Sequence, residues 1–114
     1  MDMVRSTDIK QFEVYLIALD PTKGSEIQKT RPCVIISPNE VNNFLNTVIA
    51  IPLTSTKKDY PTRVNCTFNG KDGQVAIDQM RALDKSRLIK KLGAINDSVF
   101  IEEVLTVLQE MFSL

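Results

Sequence analysis

Residues 20–32 read DPTKGSEIQKTRP and place three cations, a glycine, a hydroxyl and a carboxylate between two apolar runs. Lys23, Lys29 and Arg31 surround Gly24-Ser25. Glycine lets the backbone take positive φ and approach a ligand closely. The Ser25 hydroxyl can donate to a phosphate oxygen. Arg31 stands where the loop becomes a strand, and a guanidinium on a fixed backbone suits bidentate phosphate binding. The chemistry suggested is recognition of a phosphodiester. On composition alone, a solvated connecting loop fits these residues as well.

The rest of the chain must position that loop. FEVYLIAL (12–19) and PCVIIS (32–37) read as strands on either side of it, rich in β-branched and aromatic residues. Ser37-Pro38 offers an N-cap and a first-turn proline for one or two helical turns over PNEVNNFLN. TVIAIPLT (47–54) and TRVNCTF (62–68) follow as strands. Asn69-Gly70 and Asp72-Gly73 are turn signals, and QVAIDQMRAL then reads as one further strand. Residues 88–95 make a last short strand. Ile101, Val104, Leu105, Leu108, Met111 and Phe112 recur at helical spacing, with Asn96 or Asp97 as cap. Residues 1–10 are polar and read as loose. Short strands closed by one helix predict a mainly β (α+β) fold, a small curved sheet or open barrel with the C-terminal helix packed on it.

The 114 residues make one domain, 1–114, able to bury a core without disulfides or metals. Fourteen cations balance fourteen acids, yet from Asn96 onward there are only acids: Asp97, Glu102, Glu103 and Glu110. Residues 1–95 are therefore net basic, which allows a basic face for an anionic partner. There is no histidine, and the two cysteines lie far apart in strand-like runs. Cys33 and Cys66 read as buried thiols, and neither a metal site nor a cofactor is expected. No run is long enough to span a bilayer, and the N-terminus has no apolar leader. The expectation is a cytoplasmic protein with no membrane partner.

Three ordered motifs narrow the reading. DPTKGSE followed by RPCVIIS, then IPLTSTKKDYPTRV (51–64), then KDGQVAIDQMRALD (71–84), resemble the pattern of the MazF/PemK (Kid) toxins of toxin–antitoxin pairs. The similarity covers roughly residues 12–114. It implies an SH3-like barrel of the MazF/CcdB type with a C-terminal helix and one or two short helices. It implies a homodimeric, metal-independent endoribonuclease that cuts single-stranded RNA at short sequences. The products would carry 2′,3′-cyclic phosphate and 5′-hydroxyl ends. It also implies a cognate antitoxin whose acidic tail fills the RNA groove, with operator DNA bound only through the toxin–antitoxin complex.

Carried over residue by residue, the resemblance makes Arg31 the catalytic arginine and Thr54 the catalytic threonine. Forming a cyclic phosphate requires deprotonating the 2′-hydroxyl, stabilising phosphorane charge and protonating the 5′-oxygen. Arg31 can stabilise the charge and assist proton delivery, Thr54 can hold a non-bridging oxygen, and Glu26 is the candidate base. Lys23, Gly24, Ser25, Lys29, Lys57 and Lys58 would track RNA phosphates, with Pro32 and Ser55 lining the path. Asp78, Gln79 and Arg81 match positions at the family's RNA groove and can read base edges. Tyr60 can stack on a base. Lys57-Lys58 also fits a solvated hairpin tip, and Tyr60-Pro61 a plain turn.

The chain departs from the family pattern in places. Lys29 stands where many relatives carry glycine, and lysine strains a positive-φ backbone, so a changed loop path is expected. Phe12-Glu13 replaces a Gly-Asp or Gly-Glu opening. Ile27 follows Glu26 where glutamine is common, and should meet a partner or fold inward. With few apolar anchors, the loop is expected to be shifted or mobile until RNA or antitoxin binds. The alternative function is a CcdB-like DNA gyrase poison without nuclease activity, disfavoured because the chain has no Trp and ends MFSL. A binding-only relative is the third reading.

Overall fold

The computed structural model describes residues 9–113. The strands are β1 (Glu13–Ala18), β2 (Thr30–Ile35), β3 (Thr47–Thr54), β4 (Arg63–Phe68), β5 (Lys71–Ala76), β6 (Arg81–Asp84) and β7 (Leu88–Ala94). The helices are α1 (Asn39–Phe44) and α2 (Ser98–Met111). Short 3₁₀ turns, Ile77–Gln79 and Lys85–Arg87, separate β5 from β6 and β6 from β7.

Alternation along β3 explains the architecture. Val48 and Ala50 point into one apolar cluster, Ile51 and Leu53 into another. The first cluster gathers Tyr15, Ile17, Cys33, Ile35, Leu83 and Leu88. The second gathers Val14, Val34, Val64, Val75 and Ile77 beneath Phe100 and Val104 of α2. Strands covered on both faces are β-branched on both faces, which is why they stand out in the sequence. Ile9 is fully buried in the first cluster, so the chain is anchored at that residue rather than loose; residues 1–8 lie outside those described.

All pairings are antiparallel, in the order β4-β5-β3-β2-β1-β7, with β6 also on β3. The sheet curls without closing, as an open barrel does. β3 is forked: Thr47 to Ala50 pair with β6, whereas Leu53 and Thr54 pair with β5. β2 follows β1 from Val34 back to Thr30, but it follows β3 only from Ile35 to Cys33. Beyond the Cys33–Pro52 pair the two strands part: the β2 positions whose N–H faces β3 are the even ones, as Ile36 N–H to Ile49 O shows, and the next of them is Pro32, which has no N–H.

Three sequence expectations need correction. QVAIDQMRAL is not one strand. The chain turns at Ile77–Gln79, where Ile77 N–H donates to Thr62 O and Met80 N–H to Ile77 O. Ser37 does not cap α1. It is buried, and its hydroxyl donates to Asn42 Oδ1 at 2.5 Å. In α2, Phe100, Ile101, Val104, Val107 and Leu108 face the core, but Leu105, Met111 and Phe112 are exposed. Ile101, Val104 and Leu108 of the expected stripe therefore hold, and the buried face extends to Phe100 and Val107 instead of Leu105 and Phe112. Asp97 does cap α2, accepting from Val99 N–H at 2.9 Å.

Candidate active site

The parting of β2 and β3 creates a cleft. It is lined by Arg31 and Pro32 from β2, by Leu53 and Thr54 from β3 and Ser55 just after it, and by Cys66, Phe68, Lys71, Asp72 and Gly73 from the β4–β5 hairpin. Arg31 and Thr54 are thus brought together although they lie on different strands. The cleft holds about 230 Å³, below the 300–1,000 Å³ usual for a pocket that encloses a whole ligand. It suits one portion of a long ligand running past its mouth. Arg31 Nε donates to Gln28 O at 3.0 Å, which fixes the guanidinium plane. Thr54 Oγ1 accepts from Thr56 N–H at 3.1 Å, so its own O–H proton can still be donated.

The loop that delivers Arg31 is tied down from several sides. Leu19 N–H donates to Lys29 O at its base. Arg81 Nη1 donates to Leu19 O at 2.9 Å, and Arg87 Nη1 to Asp20 O at 2.7 Å. Ile27 folds inward against the first apolar cluster, and its N–H donates to Gln79 Oε1 at 3.2 Å. Gly24 takes φ +57°. Lys29 takes φ +70° in spite of its side chain, so the loop keeps a positive-φ residue before Arg31. Phe12 likewise adopts φ +67° and buries its ring in the second cluster. The expectation that lysine at position 29 would avoid a positive-φ backbone therefore fails, and β1 begins at Glu13, inside the expected run 12–19. Packing and hydrogen bonds hold non-glycine residues in a costly conformation.

Other expected site residues have structural partners. The Glu26 carboxylate accepts from Lys23 N–H at 2.6 Å and closes the turn over Gly24-Ser25; it is not part of the cleft lining. Asp78 takes two bonds from Arg63, at 2.9 and 3.3 Å, and one from Thr62 Oγ1. Burial alone would raise the Asp78 carboxyl, but these bonds and the Arg63 charge outweigh it and hold it below its ordinary value. Arg63 lies 5.3 Å from the centroid of the Tyr60 ring. Lys57 and Lys58 are exposed.

A family model described as "PemK-like, MazF-like toxin of type II toxin-antitoxin system" matches residues 10–112. The chain belongs to that family. Endoribonuclease MazF of Staphylococcus epidermidis is 37% identical over 100 residues, covering 82% of this chain and 83% of the relative. A crystal structure of MazF from Deinococcus radiodurans superposes with TM-score 0.82 at 27% identity, covering 99% and 100% of the two chains. An endoribonuclease in complex with its cognate antitoxin, from Mycobacterial species, gives 0.75 at 25% identity over 90% and 92%.

Several working parts of the toxin's cleft escaped the sequence reading. Gly73 is one: a Cβ there would come within 2.6 Å of Thr54 O, so the β3–β5 approach beneath Thr54 requires glycine. The Asp-Gly dipeptide was visible, but it read as a turn. Gln74 is another, 7% exposed. Its Oε1 accepts from Lys58 N–H at 3.0 Å, and its Nε2 donates to Lys58 O and Asn65 Oδ1 at 3.2 Å. A buried amide thus clips the 55–62 loop to the sheet. Cys66 lines the cleft, but burial, and then the charge of Asp97, push its thiol up. Burial also pushes the Cys33 thiol up to about 12 despite Arg81 and Arg31. Neither is a ready nucleophile. Among the described residues no cluster of His, Cys, Asp and Glu could hold a metal ion, and no helix is long and apolar enough to cross a membrane.

Charge separates across the molecule. The cleft and its two loops carry Lys23, Lys29, Arg31, Lys57, Lys58 and Lys71 against Asp20, Glu26, Asp59 and Asp72, an excess of cations. A groove of about 430 Å³ between β4 and α2 is lined by Glu102, Glu103 and Glu110, with Arg63 at its side.

Proposed function

We propose that this toxin is a metal-independent endoribonuclease, cutting single-stranded RNA at short sequences to leave 2′,3′-cyclic phosphate and 5′-hydroxyl ends. The observation that carries the reading is the convergence of Arg31 and Thr54 in one cleft, in a chain 37% identical to an endoribonuclease. The family match favours this reading over a gyrase poison.

In the proposed reaction the scissile phosphate enters between Arg31 and the end of β3. The 2′-oxygen attacks phosphorus, the 5′-oxygen departs, and the proton lost from the first is replaced on the second. Arg31 neutralises the phosphorane oxygens and assists proton delivery to the leaving oxygen. Thr54 donates its hydroxyl to a non-bridging oxygen. Glu26 takes the 2′-proton once RNA draws its carboxylate away from Lys23 N–H. Lys23, Lys29, Lys57 and Lys58, on loops either side of the cleft, follow the backbone phosphates, and Tyr60 offers a ring for a base. Gln79 and Arg81 act by holding the loop at Ile27 and Leu19.

The partner is a cognate antitoxin whose acidic tail competes for the same cations, and operator DNA is reached only through that complex. The working unit is a homodimer, for which exposed Phe44, Leu45 and Ile49 supply apolar surface. The test is cleavage of a long single-stranded RNA in EDTA, with end chemistry read by phosphatase and kinase sensitivity. Arg31→Ala and Thr54→Ala should each lower kcat by about 10²–10³-fold, the usual effect of removing one charge-stabilising donor. A folded wild-type toxin that cuts no RNA would overturn the reading.

A further inference from the structure

Lys71 has no place in the chemistry above, yet it shares the cleft with Arg31 and Thr54. Side chains alternate along β5, so Lys71 and Gly73 share the sheet face that carries Val75 into the core. Gly73 lies directly beneath Thr54, as its 2.6 Å clearance shows. Lys71 is two residues further along the strand, a displacement of about 7 Å. That is of the order of the step between neighbouring phosphates in an extended nucleic acid strand.

Its surroundings leave the ammonium available. Lys71 makes no ion pair among the described residues. The adjacent Asp72 is bound instead by Thr67 Oγ1 at 2.7 Å. Phe68, its cross-strand partner, is half-buried, and its ring abuts Gly93. That ring is fixed in the core, where it offers an apolar wall for a lysine stem whose charged end stays in water.

Resting on the nuclease reading, we propose that Lys71 forms a second phosphate subsite, holding a phosphate that flanks the scissile one. Arg31 then meets the charge that changes during the reaction, while Lys71 meets a charge that does not. A contact of equal strength in ground and transition states lowers KM and leaves kcat alone.

The experiment scans single methylphosphonate replacements, which remove one phosphate charge at a time, along a short RNA containing a mapped cut site. Wild type, Lys71→Gln and Lys90→Ala are compared. Lys90 lies exposed on β7, outside the cleft lining, and serves as a surface-charge control. The expected result is one flanking position whose neutralisation raises KM several-fold for wild type and Lys90→Ala but not for Lys71→Gln, with kcat unchanged. The slope of log KM against log salt should also fall by about 0.7 in Lys71→Gln, the value of one single-strand phosphate contact. If every position penalises Lys71→Gln as much as wild type, or if the salt slope is unchanged, the subsite does not exist. A wild type that cuts no RNA would remove the nuclease reading, and the subsite with it.

Discussion

Two loops frame the cleft, and they are held by opposite means. The 19–30 loop is caught from outside. Arg81 and Arg87 grip its carbonyls, Gln79 grips one N–H, and Ile27 plugs it into an apolar cluster. The 55–62 loop is held from beneath: at its middle the buried Gln74 satisfies both the N–H and the C=O of Lys58, and at its end Ile77 and Asp78 bind Thr62. The first arrangement distributes the load over several elements and ends at Arg31, where geometry matters most. The second holds the middle of its loop through one amide and leaves Lys57 and Lys58 exposed. In the proposed reaction, tight placement serves a group that meets developing charge, and looser placement serves cations that only track a backbone.

The comparison can be tested from the largest expected effect downward. Gly73→Ala strikes the element both loops flank. Its methyl would press on Thr54 O, and the expected loss is about 1–3 kcal/mol of stability, as in overpacking, with RNA cutting reduced as Thr54 shifts. Chemical denaturation and kcat report the two effects. Next, Gln74→Leu should cost about 1–2 kcal/mol by leaving polar groups unpaired and should speed amide hydrogen exchange at Lys58. Exchange at Leu19 should stay as in wild type. Equal loosening of both loops would show that they form one unit and would break the comparison.

A smaller effect concerns Lys29 and works in the other direction. A non-glycine residue at positive φ costs about 1–2 kcal/mol, and glycine returns part of that as unfolded-chain entropy. Lys29→Gly should therefore stabilise the protein by about 0.5–1 kcal/mol, seen as a rise in Tm, while weakening RNA binding through the lost charge. An unchanged Tm would mean that the backbone there carries no strain. The smallest effect belongs to Asp78, next to Gln79. Its carboxyl is held below the ordinary value in the folded state. Its stabilising contribution is therefore complete above the unfolded carboxyl pKa and is lost as pH falls through the folded one. Asp78→Asn should be less stable than wild type at neutral pH and indistinguishable from it in acid, measured by urea unfolding across pH.

Much of this fold is legible in the sequence because β-branched runs covered on both faces stand out against polar connections. The break in QVAIDQMRAL is not legible. Ile77 is fully buried and continues the apolar pattern, and no glycine or proline marks the turn. In α2 the spacing fixed a helix but not which apolar residues face inward, since Leu105 and Phe112 satisfy the same period as Val104 and Leu108. In the candidate site, Arg31 and Thr54 were named through resemblance, and the parted strands put them in one cleft. Gly73, Gln74 and Lys71 were missed because their roles depend on pairing across β3, β4 and β5, which local pattern does not encode. Lys29 misled in the same way, since its loop contacts hold a backbone angle that the residue alone disfavours.

The forked β3 has a bearing on how the toxin comes into being. Its first half completes one apolar cluster with β6, and its second half builds the cleft with β5. Neither half of the sheet can be assembled without a strand that the other also needs. The cleft joins Arg31 to Gly73 across a long stretch of chain, so a growing polypeptide has no site until the β4–β5 hairpin has left the ribosome. Refolding should accordingly recover RNA cutting and native β signal in one phase, with no cleaving species before the whole sheet has closed on β3.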